Sequence, residues 1–241
     1  AVVVAEASKV LSPVVEEVVS PGVSMRGMPI EEFRANTFST YTQSAPSVES
    51  FGDGLTVVVW QSQYQEAVQN GGGWNWGVYG QVYGPKGAPL GNEFLINTYT
   101  EGNQGIPAIA TLEDGGFIVT WYDDSGHSGG SGSDIRGQIM SNEGRPLGSE
   151  FRVNDYVSSS QVDPSVAALE DGGFVVTWDD NSGHDGGGSH DIWAQRFDAS
   201  GSATGDEFRV NMTFTSGYQY DPDVIGLNDG GYVITWRNDQ G

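Results

Sequence analysis

In the stretch Asp179-Asp180-Asn181-Ser182-Gly183-His184-Asp185, side-chain oxygens fall at alternate positions ahead of three glycines. A hard cation such as calcium takes several oxygen ligands, and alternate acidic residues in a tight glycine turn can wrap one. Asp179, Asn181 and Asp185 are therefore candidate calcium ligands, joined by Asp123 and Asp124 in the related stretch Asp123-Asp124-Ser125-Gly126-His127-Ser128. A third version, Gln61-Ser62-Gln63-Tyr64-Gln65-Glu66, has lost nearly all of the acidity. None carries the distal glutamate of an EF-hand, so a solvated loop without an ion stands as the alternative. His127, His184 and His190 lie in the same loops. With no cysteine in the chain they do not compose a zinc set.

Two further groups could do chemistry. Trp74 and Trp76 flank Asn75 beside Gly71-Gly72-Gly73. Aromatic faces next to amides stack on and hydrogen-bond sugar rings, and they also grip protein partners. The alternative is that they pack on a neighbouring loop. Arg34, Arg152 and Arg209 each follow a phenylalanine in three of four related segments, with Leu95 in the remaining one. They occupy equivalent positions rather than one converging cluster, and no Gly-x-Ser-x-Gly nucleophile elbow is present. These residues predict no enzyme.

The elements that position all of these are repeated. Ala168-Leu169-Glu170-Asp171-Gly172-Gly173-Phe174-Val175-Val176-Thr177-Trp178 has the form of a β-hairpin, with Asp-Gly-Gly supplying the positive φ angles of a primed turn. Related hairpins end at Trp60, Trp121 and Trp236, and a Glu-Phe-x-x-Asn segment ends at Asn36, Asn97, Asn154 and Asn211. Successive tryptophans are 61, 57 and 58 residues apart and successive asparagines 61, 57 and 57. Two landmarks held in register define a repeat. Each unit has room for four antiparallel strands, at about 165–169, 173–179, 191–198 and 207–211 in the third copy. The expected fold is all-β: a β-propeller-like array of four-stranded antiparallel blades. Phe174, Val176 and Trp178 would point to one side, where blades stack. The last unit is incomplete unless the Glu-Phe-Arg-Ala-Asn strand near the start completes it. Residues 1–23 stand apart as an arm or linker, and 24–241 form the repeat domain.

Composition narrows the partners. Thirty-two acidic residues against ten Lys plus Arg leave a net charge of −22. Phosphate backbones and anionic membranes both reward basic surfaces, so neither is an expected partner. No apolar run approaches the roughly 20 residues of a membrane helix, so no membrane insertion is expected. The valine-rich start carries Glu6, Lys9, Glu16 and Glu17, unlike the core of a signal peptide.

Glu150-Phe151-Arg152-Val153-Asn154, Pro164 to Trp178 and Asp191-Ile192-Trp193-Ala194-Gln195-Arg196-Phe197-Asp198 together resemble the tandem repeats of large acidic bacterial secreted or surface proteins. Those repeats are often associated with RTX-type calcium-binding modules. The resemblance implies an extracellular or cell-surface location and a non-catalytic module for adhesion or assembly, stabilised by calcium, with protein or glycan partners. A lectin-like propeller and an extrinsic subunit held in a larger complex by the N-terminal arm are the alternatives.

Overall fold

The computed structural model describes residues 33–70, 75–127, 129–184, 190–213 and 215–239. The arm of residues 1–23 lies outside them. Three four-stranded antiparallel sheets follow one another along the chain. The first comprises β1 (Gln43–Ser50), β2 (Thr56–Gln63), β3 (Trp76–Tyr83) and β4 (Pro89–Leu95), with the short helix α1 (Gln65–Asn70) between β2 and β3. The second holds β5 (Gln104–Thr111), β6 (Phe117–Asp123), β7 (Asp134–Met140) and β8 (Phe151–Arg152). The third holds β9 (Gln161–Ala168), β10 (Phe174–Asp180), β11 (Asp191–Phe197) and β12 (Phe208–Arg209). A fourth sheet contains β13 (Gln219–Gly226) and β14 (Tyr232–Asn238) among the described residues. In every sheet the strands pair in chain order. The first strands β1, β5, β9 and β13 adjoin one another in succession, as inner strands of a propeller do. No comparable contact returns from β13 to β1 among the described residues, so the array is an open, propeller-like arc.

The sheets stack through the faces that the alternation of residues demands. Phe174, Val176 and Trp178 meet Ala110, Ile118, Ile135 and Ile139 of the preceding sheet, while Val175 turns the other way to meet Val224, Tyr232 and Ile234. The same arrangement one sheet earlier sets Phe117, Val119 and Trp121 against Val57, Val59 and Val82. Both faces of a middle sheet are thereby covered, and the charges its strands carry, such as Asp123, Asp134 and Arg136 of the second sheet, are buried. Phe33 and Ala35 pack on Val58, Trp60 and Tyr83 of the first sheet. The hairpin turns differ in type from the expectation. Gly172 alone takes a positive φ, at 82°, and its N–H donates to the Leu169 carbonyl at 3.0 Å while the Leu169 N–H donates to Gly173 at 2.8 Å. This is a type I turn closed by a left-handed glycine, and it needs one special residue rather than two.

The recurring Glu-Phe-x-x-Asn segment is a staple between sheets. Asn154 Oδ1 accepts the Ile135 N–H at 2.7 Å, and its Nδ2 donates to Asp134 at 2.9 Å and to Gln161 of the next inner strand at 3.2 Å. Asn97 and Asn211 accept from Val78 and Ile192 in the same way. The glutamate of each segment holds the linker that precedes its sheet: Glu150 accepts from Thr98, and Glu207 from Asp155. Replacing Asn154 with Ala leaves several buried polar groups without a partner, each worth about 1–3 kcal/mol. Urea unfolding should show that loss, and Asn154→Asp, which keeps the acceptor for Ile135 but sets a carboxylate oxygen against the acceptors of Asp134, Tyr156 and Gln161, should not recover it.

Candidate functional site

Each inner strand breaks its ladder at one place. Two residues of β9, Asp163 and Pro164, stand opposite Trp178 alone, because the register jumps between Asp179–Val162 and Thr177–Ser165. Ala45-Pro46, Ile106-Pro107 and Asp221-Pro222 make the same bulge in β1, β5 and β13. Proline has no N–H to give to the ladder, so it is accommodated at the bulge. The residue before it takes φ values of 50–52° in all four copies. Bulges re-aim side chains, and strained non-glycine residues cluster at working sites. The scaffold is common to four copies, but only two carry an acid.

Asp163 and Asp221 are thus presented by neighbouring inner strands, and a group of polar side chains collects around them. Burial pushes the Asp163 carboxyl up from its ordinary value, and the Asp221 carboxylate adds to the effect. Asp221 has a cation beside it, Arg237, at 2.6 Å, and that guanidinium lies 4.5 Å from the Tyr220 ring centre. Asp179 is 3% exposed and pushed up to about 6, chiefly by burial, with Asp163 and Asp180 adding and His190 opposing. His190 Nδ1 lies 2.9 Å from Asp179 Oδ1, and its ring meets Tyr218 edge-on at 5.1 Å. The Tyr122 phenol is pushed up by burial first, then by Asp124 and Asp163. Two acids with different surroundings, one half-buried beside another carboxylate and one paired with an arginine, are what divided acid and base roles require.

Asp179 also makes stability depend on pH. Its value rises from 3.8 unfolded to about 6 folded, so over that interval the native state keeps a proton that the unfolded chain has lost. The stability it contributes is complete below the lower value and is lost as pH rises through the upper one. Thermal melts from about pH 4 to pH 8 should show this decline, and Asp179→Asn should flatten it.

Among the described residues, the expected calcium ligands do not converge. Asp179 is engaged by His190, as above. Asp123 is buried, accepts from Gln104 at 3.0 Å and from Ser125 at 2.9 Å, and lies 3.4 Å from the Arg136 guanidinium. Asp124 holds the side-chain amide of Asn103 at 2.9 Å. Asn181 is exposed, and Asp185 lies outside the described residues. Consecutive residues of a strand end point to opposite faces, so these acids enter separate networks instead of one loop cage. Asp123, His127 and Glu150 do approach one another closely, with Arg136 already among them. Trp74 lies outside the described residues, and Trp76 is half-buried at the start of β3. Asp163 and Asp221 were missed as a pair. The signal for them was the residue before the repeated proline, which is Ala, Ile, Asp and Asp in turn.

No protein-family model and no curated protein matches the chain. Solved structures do. They include a Hadza microbial sialidase with a TM-score of 0.55 and 11% identity, matched over 82% of this chain and 42% of that one. An α-L-arabinofuranosidase from Fusarium graminearum in complex with an iminosugar inhibitor matches with a TM-score of 0.52 and 11% identity, over 81% of this chain and 57% of that one. The Penicillium chrysogenum α-L-arabinanase complexed with arabinobiose matches with 0.51 and 15% identity, over 86% of this chain and 60% of that one. The chain therefore spans 42–60% of the length of these three structures. The likeness establishes the propeller fold. It also corrects two expectations. The sequence leads to the expectation of a non-catalytic module for adhesion or assembly, and not an enzyme, because its arginines do not converge and it has no nucleophile elbow. Several solved structures that share its fold are glycosidases, the arabinanase and the arabinofuranosidase among them, and the bulges bring together acids that are far apart in sequence.

Proposed function

We propose that this chain acts on glycans, with a glycosidic bond as the substrate linkage and the inner-strand carboxyls Asp163 and Asp221 as the working pair. The observation that carries the reading is their presentation by equivalent bulges of adjacent strands, with Arg237 beside one of them and burial acting on the other. Glycoside cleavage needs one carboxyl to protonate the leaving oxygen and another to act as base or nucleophile. The half-buried Asp163 suits the acid, and Asp221 suits the carboxylate. Tyr218, 50% exposed, and Tyr220 offer aromatic faces beside them for a sugar ring. A panel of arabinosides, sialosides and other glycosides tests the reading: turnover abolished by Asp163→Asn supports it. Glycan binding without turnover in the wild type would instead support a lectin-like propeller. Absence of both binding and turnover across the panel would sink both.

An extracellular or cell-surface site of action in a bacterium, among large acidic repeat proteins, belongs to the same proposal. It is supported by the charge of −22 and the repeat motifs, and cell fractionation checks it.

A further inference from the structure

Glu66 is the one acid of the first sheet's loop, and its surroundings are unfinished. It is 3% exposed, and neither carboxylate oxygen has a hydrogen-bond partner beyond the residue's own backbone N–H. The carboxylate lies directly over Gly77, where any side chain would collide with it. Tyr79, two residues further along β3, is 2% exposed and its hydroxyl is likewise without a partner. Protonation does not cure this. A neutral carboxyl still brings a donor and an acceptor that need partners, and buried polar groups left unmatched are costly.

The sister sheets identify the missing group. Across the central strand pair, Trp60 faces Tyr79, whereas Trp121 faces Arg136. Six residues after the recurring tryptophan stand Glu66, His127 and His184 in the three sheets. In the second sheet the Arg136 guanidinium lies 3.4 Å from Asp123 and 3.9 Å from Glu150. In the third, His184 lies 3.6 Å from Asp180 and 3.9 Å from Glu207. The first sheet retains the equivalent Glu93, occupied with Thr37, Phe38 and Gln65, and adds the Glu66 carboxylate. It has neither the arginine nor the histidine. The histidine position of both sister sheets has become Glu66, and the partner of the recurring tryptophan, Arg136 in the second sheet and Trp193 in the third, is Tyr79 here.

We propose that a hard cation, held by both carboxylate oxygens of Glu66 and by the hydroxyl of Tyr79, fills the place taken by basic side chains in the sister sheets. An oxygen-only donor set suits calcium, which accepts irregular geometry and completes its shell with water. Burial raises the Glu66 carboxyl above its ordinary value, and a bound ion would oppose that shift. The site is distinct from the inner-strand acids Asp163 and Asp221 and shares no residue with the calcium ligands expected from the sequence, and it does not depend on the glycan reading.

The full chain is titrated with calcium, and with terbium read by tyrosine-sensitised luminescence. Calcium should raise the melting temperature relative to chelator. Glu66→Gln, which keeps the shape, should weaken calcium about tenfold or more and remove the luminescence. Tyr79→Phe should weaken it by less, and Asp124→Asn should leave it unchanged. Circular dichroism establishes that each variant is folded. Equal calcium response in wild type and Glu66→Gln, or no calcium response in the wild type, overturns the proposal, and the nest then holds water or a proton alone.

Discussion

Replacing Asp163 with asparagine is expected to lower glycoside turnover by about 10²–10⁴-fold, the range for losing a positioned proton donor. The side chain keeps its volume, so the effect should fall on kcat with little change in KM, the pattern of an interaction made chiefly in the transition state. Asp221→Asn should be comparably damaging, because it removes the carboxylate and leaves Arg237 without its 2.6 Å partner. Substrates with activated leaving groups separate the roles. They need little protonation, so they should recover much of the loss in Asp163→Asn but little in Asp221→Asn. The Asp163 carboxyl is raised by burial and by Asp221, so the limb where activity falls as pH rises should lie above the ordinary carboxylate range. Asp221→Asn removes one cause of that rise and should move any residual activity's limb to lower pH. Unchanged turnover in both variants would falsify the assignment of this pair.

Trp178→Ala is expected to cost about 3–5 kcal/mol, the range for truncating a fully buried aromatic side chain. Trp178 is fully buried and packs between the third sheet and the core of the second, among Ile135, Val153 and Phe174. Its indole N–H has no hydrogen-bond partner, so the loss is one of packing and a cavity rather than of a polar contact. Trp236 occupies the same place in the fourth sheet but is only half-buried. Trp236→Ala should therefore cost clearly less, though it also removes a 3.3 Å bond to Gln219. Urea denaturation of the two variants measures the difference. Equal losses would show that the recurring tryptophans act through the hairpin itself and not through stacking of sheets.

Much of this architecture is legible in the sequence. Strand pairing is local within each copy, so hydrophobic alternation and glycine turns sufficed to place β9, β10 and β11 within a few residues of their observed limits. Glu150 and Asn154 were visible as landmarks, but not as a staple, since their partners Thr98 and Gln161 belong to the neighbouring units. The acidic loops misled for a related reason. Asp123 and Asp124 are adjacent in sequence, yet one turns to Gln104 and Arg136 and the other to Asn103.

Fold class and repeat count were therefore written in the chain itself, because alternation, turns and spacing act over short separations. Which acids meet was decided by the tertiary structure. Asp163 and Asp221 are separated by 58 residues, and they become neighbours only when consecutive inner strands lie side by side and bulge at the same position. Glu66 stands where two other sheets carry a histidine, and only the tertiary structure buries its carboxylate over Gly77. A carboxylate's role depends on the charges around it, and in this fold those charges come from other sheets.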